Sequence, residues 1–291
     1  MNPPLAFALM CLAWGSTFVA LKVAAASVPP VFLSGVRFVL AAALILAWFA
    51  LRRTVLEVSG PDRLRLAGLS VFSIMLGYGL GFWSITYLSS GLAAVVNFSS
   101  VSLSILGFSL LLGRERVTPS KHWGIGLGVA GLMLLFAPSL GLEQTSQQAL
   151  AVLVMALGSS VYGLSTVLLR PLAAKYPPLE ITSSQMLPGG VMLLLAGWWI
   201  EPVSAQTLTH LLEPPVAFGL AYLVLAGSIL GLTLYYYLLA RWPATRVSSY
   251  TFVCPVIALV LGAVLLGERV TAMELVASLV LLGGAALALR P

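Results

Sequence analysis

Charge is scarce in this sequence: Asp, Glu, Lys and Arg make up 8% of 291 residues, where a soluble domain carries roughly 25%. In its place stands a composition that is 60% hydrophobic, more apolar surface than a water-soluble fold can enclose. Cysteine is nearly absent. Cys11 and Cys254 both fall inside apolar runs, where the thiol serves as a small hydrophobe, so neither a disulfide nor a metal site is expected. The two histidines, His122 and His210, lie in polar breaks, and no Asp or Glu falls inside an apolar run beyond the cap residue Glu274 at the head of the last one. A buried nucleophile with its general base, or a titratable proton carrier at mid-membrane, is therefore missing. There is no Walker loop either. These absences argue against an intramembrane enzyme, and no catalytic residue, metal or cofactor is expected.

What is there is length. Apolar runs of about 20 residues, enough to cross about 30 Å of hydrocarbon at about 1.5 Å per residue, recur ten times. They lie near residues 5–25, 31–51, 66–88, 92–112, 123–137, 149–169, 181–200, 216–239, 247–266 and 272–289. The first has no basic segment before it and no small-residue cleavage site after it, so it reads as a retained span. Runs this long and uniform exclude the alternating strands of a barrel, and lipid forces the backbone to bond to itself. The expected fold class is an all-α membrane protein of ten transmembrane helices.

The basic residues fix an orientation. With a cytoplasmic N-terminus, 12 of the 15 Lys and Arg fall in cytoplasmic breaks, among them Arg52, Arg53, Arg63, Arg65, Arg114 and Arg116. Only Lys22 and Arg269 fall outside, and Arg37 lies within a span. One helix more or fewer would scramble that asymmetry, so both termini are expected inside. The net charge of +6 is spread over these breaks, which reads as membrane orientation and not as a nucleic-acid patch.

The chain also repeats itself. Glu115-Arg116-Val117-Thr118 matches Glu268-Arg269-Val270-Thr271 at an offset of 153, followed by Gly131 with Gly284, Leu134 with Leu287 and Pro138 with Pro291. An offset of 148 pairs Thr17 with Ser165, Lys22 with Arg170, and Pro29-Pro30 with Pro177-Pro178. Residues 1–142 and 143–291 thus form two five-helix repeats, and five being odd, the second enters from the opposite face as an inverted repeat.

Several motifs admit two readings. Gly126-Leu-Gly128-Val-Ala-Gly131 has the dinucleotide spacing, but inside an apolar span it marks close helix packing, as do Gly77/Gly81, Gly124/Gly128 and Gly227/Gly231. The Glu-Arg-Val-Thr segments serve either as substrate gates or, more simply, as helix caps at Thr118-Pro119 and Thr271-Glu274. Arg37, whose burial costs at least about 2.5 kcal/mol, either holds an anionic group such as a substrate carboxylate or bonds to helix-end carbonyls. Its repeat partner Gln185 is polar as well, which places both helices beside an aqueous interior. Trp14, Tyr78, Phe82, Tyr162 and Tyr250 sit too deep to be interfacial belt residues together, although any one of them also suits packing or lipid contact. With Thr17, Asn97, Ser165 and Tyr235 they outline an aromatic pocket for a neutral or zwitterionic organic solute with an apolar body. Pro188-Gly189 and Pro255 are the candidate hinges.

Trp14-Gly-Ser-Thr-Phe18, Arg37-Phe38, and Pro255 followed by Leu266-Gly-Glu-Arg-Val-Thr271 resemble the EamA-type branch of the drug/metabolite transporter superfamily. The resemblance implies a ten-helix carrier whose central cavity is formed by helices 1 to 4 and 6 to 9. It points to bacterial exporters of amino acids, aromatic ones included; multidrug and nucleotide-sugar-type carriers share the fold. Ser102 stands at the repeat position of Pro255, which breaks any symmetric pair of proline hinges. The expectation is an inner-membrane carrier working by alternating access without obligatory proton coupling. Its partners are a small-molecule substrate and the lipid bilayer, with no nucleic acid, for a chain able to act as a monomer.

Overall fold

The computed structural model describes residues 1–24, 27–85, 87–88, 90–115, 118–136, 146–266 and 271–289. Expectations for the Lys22 side chain, Arg116, Pro138, Glu268, Arg269, Arg290 and Pro291 lie outside the described residues. Among the described residues there are helices and no strands. In chain order these are α1 (Pro3–Ala24), α2 (Pro30–Leu51), and α3, built of the consecutive segments Gly60–Ser70, Val71–Tyr78 and Gly79–Ile85. Then come α4 (Ser90–Leu111), α5 (Pro119–Phe136), α6 (Ser146–Lys175), α7 (Pro178–Ile200) and α8 (Pro214–Leu239). The chain closes with α9 (Tyr250–Leu266) and α10 (Ala272–Ala288), and two short helices, Ala205–His210 and Ala244–Val247, lie in connections. Six described stretches are long and apolar enough to cross a membrane: α2, α6, α7, α8, Gly60–Ser84 and Ala244–Leu261. Trp48, Trp199, Phe218 and Leu279 are all exposed on the outside of the bundle, as befits a surface solvated by lipid.

Helices start where the sequence offers proline or a side-chain oxygen to the free N–H groups of the first turn. Pro30 and Pro178 open α2 and α7. At the head of α3 Asp62 N donates to Ser59 Oγ at 3.4 Å, so this helix begins at Gly60, ahead of the apolar run from Leu66. Thr271 and Glu274 form the expected capping box on α10. Thr118 holds α5 only through its carbonyl, which accepts from Lys121 N at 3.0 Å and His122 N at 3.2 Å; its hydroxyl has no partner among the described residues. Two other caps are long-range and invisible to local sequence. Val31 N and Phe32 N donate to the Glu201 carboxylate at 2.9 and 2.7 Å, closing the start of α2. Glu115, just beyond the end of α4, accepts from Ala244 N, from Thr245 N at 3.4 Å and from Thr245 Oγ1 at 2.7 Å, so this one residue of the first Glu-Arg-Val-Thr segment caps a helix in the other half of the chain.

Bare backbone brings the helices together. A Cβ on Gly197 of α7 would stand 2.5 Å from Phe32 N of α2. One on Gly124 of α5 would stand 2.5 Å from Ala288 N, and one on Gly284 of α10 2.7 Å from Gly128 N. The apparent dinucleotide fingerprint is thus part of the α5–α10 seam.

Contacts between helix ends define a basic end of the bundle. Lys175 Nζ and the Tyr176 hydroxyl both reach Asp62 at 2.6 Å, Glu57 N donates to Glu180 at 2.8 Å, and Arg170 approaches Glu115 at 3.9 Å. The Tyr237 hydroxyl donates to the carbonyl of Met1 at the same end. α3 and α8 share a further feature that apolar periodicity does not announce. Each contains an eight-residue π segment, Val71–Tyr78 in α3 and Leu223–Leu230 in α8, and each segment is followed by a glycine, Gly79 and Gly231. Such wide turns re-aim side chains and recur at functional sites.

Candidate functional site

Between α1, α2, α3, α4, α6, α8 and α9 lies a cavity of about 190 Å³. Among the described residues its wall takes Trp14 and Thr17 from α1, Arg37 from α2, Tyr78 and Phe82 from α3, and Asn97 from α4. Tyr162 of α6 and Tyr250 of α9 complete the candidates that the structure brings together there. Ser159, Met155 and Cys254 also line the cavity and were not singled out from sequence.

Three candidates stand elsewhere. The Ser165 hydroxyl donates to Leu69 O at 3.0 Å. Gln185, fully buried, accepts from Ser73 Oγ at 3.3 Å and Tyr236 OH at 2.8 Å, and donates to Leu66 O at 3.3 Å. Ser73 and Leu66 belong to the half of α3 nearer the basic end and Tyr236 to α8, so the expectation of an aqueous interior at Gln185 is corrected: its amide is saturated by protein. Tyr235 is 1% exposed and sits behind the wall.

Tyr235 nonetheless organises the wall. Its ring lies 5.4 Å from Trp14, 5.9 Å from Tyr250 and 6.3 Å from Tyr162, and its hydroxyl shares a 2.8 Å hydrogen bond with Thr166. Trp14 meets Tyr250 edge to face at 4.7 Å, and Tyr78 meets Tyr162 edge to face at 6.2 Å. Tilted and edge-to-face pairs of this kind contribute about 0.5–1.5 kcal/mol each beyond burial. The result is a continuous aromatic floor between the cavity and the basic end.

The α8 π segment supplies the polar counterpart. Trp14 Nε1 donates to Gly227 O at 2.9 Å and Arg37 Nε donates to Ser228 Oγ at 2.6 Å. A Cβ on Gly227 would stand 2.9 Å from Thr17 Cγ2 and 3.2 Å from Arg37 Nη2, and one on Gly231 2.7 Å from Trp14 Cδ1. Glycine at both positions makes room for the indole and the guanidinium. Arg37 is 6% exposed, with its guanidinium carbon 4.9 Å from the Phe38 ring centre and 6.0 Å from that of Tyr78. It bonds to a serine and not to helix-end carbonyls. Among the described residues no carboxylate pairs with it, and its two terminal nitrogens donate to nothing. Asn97 lies across the cavity, its carbonyl oxygen accepting from Ser159 Oγ at 2.8 Å. Ser228 could have been suspected only from its place between two glycines, a weak signal; the π segments had none.

The candidate hinges are apart from the wall. Pro188 and Pro255 lie within α7 and α9, where each removes a backbone donor. Gly189 is a contact point: a Cβ there would stand 2.7 Å from Ile74 Cβ.

Known proteins fit this geometry. A crystal structure of a protein 19% identical in sequence superimposes with a TM-score of 0.79, covering 98% of this chain and 96% of its own. The uncharacterized inner membrane transporter YedA of Escherichia coli K12 is 32% identical over 275 residues, 92% of this chain and 84% of its own length. A probable amino-acid metabolite efflux pump of Salmonella typhimurium is 26% identical over 295 residues, covering 95% of this chain and 91% of its own. The profile of the EamA-like transporter family matches residues 3–137 and again 149–290. With an apolar helical bundle around a lined cavity and a family match over nearly its whole length, this chain belongs to the EamA-like transporter family.

Proposed function

We propose that the protein is a bacterial inner-membrane exporter of small organic metabolites, amino acids and their analogues first, working by alternating access. The observation that carries this is the cavity itself, an aromatic chamber holding a buried guanidinium inside a bundle whose basic end is packed shut. At about 190 Å³ it falls below the roughly 300 Å³ at which drug-sized ligands begin to fit, which favours a metabolite over multidrug cargo. A single cation on the wall among the described residues disfavours the polyanionic cargo of a nucleotide-sugar carrier. The name of the Salmonella relative, an amino-acid metabolite efflux pump, points the same way.

The architecture we infer is two inverted five-helix repeats, residues 1–142 and 143–291, with both termini cytoplasmic. It is supported by the double family match, by the matched π segments of α3 and α8, and by the basic residues gathered at one end. Bending at Pro188, Gly189 and Pro255 would let that end open while the cavity closes. No Asp, Glu or His lines the cavity among the described residues, which supports carriage without obligatory proton coupling. Counterflow in proteoliposomes tests the reading: amino acids or their analogues should exchange with no imposed proton gradient. Flux only under such a gradient sinks the uncoupled mechanism, and no flux of any organic solute sinks the carrier.

A further inference from the structure

The wall of the cavity is lopsided in charge. Arg37 brings terminal N–H donors that nothing described accepts, inside a site where a lone cation is costly. Among the described residues nothing on the wall carries negative charge. None of the described acidic residues lines the wall, and four are occupied at helix ends or in connections: Glu180 and Glu201 by backbone N–H groups, Asp62 by Lys175 and Tyr176, Glu115 by Thr245. The Asn97 carbonyl oxygen, a natural acceptor for an ammonium, already takes the Ser159 hydroxyl.

We propose, resting on the carrier reading above and narrowing it from amino acids to their ammonium-free analogues, that this site selects aromatic or apolar monocarboxylates that carry no free ammonium, such as arylalkanoic acids or N-acylated amino acids. The carboxylate pairs with the free edge of the Arg37 guanidinium, a charge-assisted and fork-shaped contact. The ring rests on the floor made by Trp14, Tyr78, Tyr162 and Tyr250. A zwitterionic amino acid makes the same contacts but must desolvate an ammonium beside an arginine with no carboxylate to receive it. Partial compensation comes only from the ring faces and from neutral hydroxyl and amide oxygens on the wall. An arylalkylamine has the repulsion and no carboxylate at all.

Binding to the purified full-length chain in detergent, read by tryptophan fluorescence and calorimetry, tests this with 3-phenylpropionate, N-acetylphenylalanine, phenylalanine and phenethylamine. The two ammonium-free acids should bind roughly tenfold or more tightly than phenylalanine, and phenethylamine should not bind. Arg37→Gln should erase the ranking and Arg37→Lys should keep part of it. Phenylalanine binding as tightly as the acids, or an intact ranking in folded Arg37→Gln, overturns the proposal; if that variant does not fold, the wild-type ranking and Arg37→Lys decide. Counterflow separates the two levels. The predicted ranking without flux of any solute leaves the site and removes the carrier, whereas flux without the ranking leaves the carrier and removes the site.

Discussion

Arg37 and Gln185 are polar residues on helices that pack along one another, and they have opposite fates. Gln185 spends its amide on Ser73, Tyr236 and Leu66, so its polarity is consumed by the fold. Arg37 makes one bond, to Ser228, and keeps its remaining donors at a cavity wall. Satisfied polarity in a membrane bundle holds helices together; unsatisfied polarity waits for a ligand. The difference lies in the surroundings: a closed half at the basic end, an open chamber behind the aromatic floor.

Substitutions can break or sharpen that contrast. Arg37→Gln should have the largest effect, lowering flux of carboxylate substrates roughly 10- to 100-fold in counterflow, the worth of a charged hydrogen bond of about 1.5–3 kcal/mol. Its melting temperature in detergent should hold or rise, since a buried charge is removed. Gly231→Leu should drive a side chain into the Trp14 indole, costing about 1–3 kcal/mol in overpacking and shrinking the cavity, so ligand binding falls together with thermal stability. Gln185→Leu should show the opposite signature to Arg37→Gln. It strands the Tyr236 hydroxyl, while Ser73 keeps its bond to the Leu69 carbonyl, costing about 1–3 kcal/mol in melting experiments, and leaves the order of ligand affinities unchanged. Equal damage to selectivity from the two changes would erase the distinction drawn between them. Glu115→Gln should cost about 1 kcal/mol by weakening the cap on Ala244–Val247, seen as a lower melting temperature with ligand affinity intact. Tyr235→Phe should cost least, roughly 0.5–1.5 kcal/mol, for its single bond to Thr166.

Much of the helical layout was legible because lipid imposes a crude rule: about 20 apolar residues make a span. Helix starts were unevenly legible: Thr271 opens α10 where expected, whereas Ser59 extends α3 into polar sequence ahead of the apolar run. Glu115 and Glu201 could not be assigned at all from local pattern, since each serves a helix far away in the chain. Among cavity residues, depth within a span singled out Arg37, Asn97 and the buried aromatics, and depth is a sequence property. Rotation about the helix axis is not, which is why Ser165 and Gln185 were grouped with the wall and Ser159 was passed over.

The sequence by itself determined that lipid is the solvent, which runs are apolar enough to lie in it, and which side chains are too polar or too deep to be there without a reason. The tertiary structure decided which of those side chains are spent. It did so through the π segments of α3 and α8 and the glycines beside Trp14 and Arg37, which set distances of a few ångströms between helices remote in the chain. Hydropathy acts residue by residue and is written locally, whereas hydrogen-bond satisfaction depends on what stands within about 3 Å, and only packing fixes that.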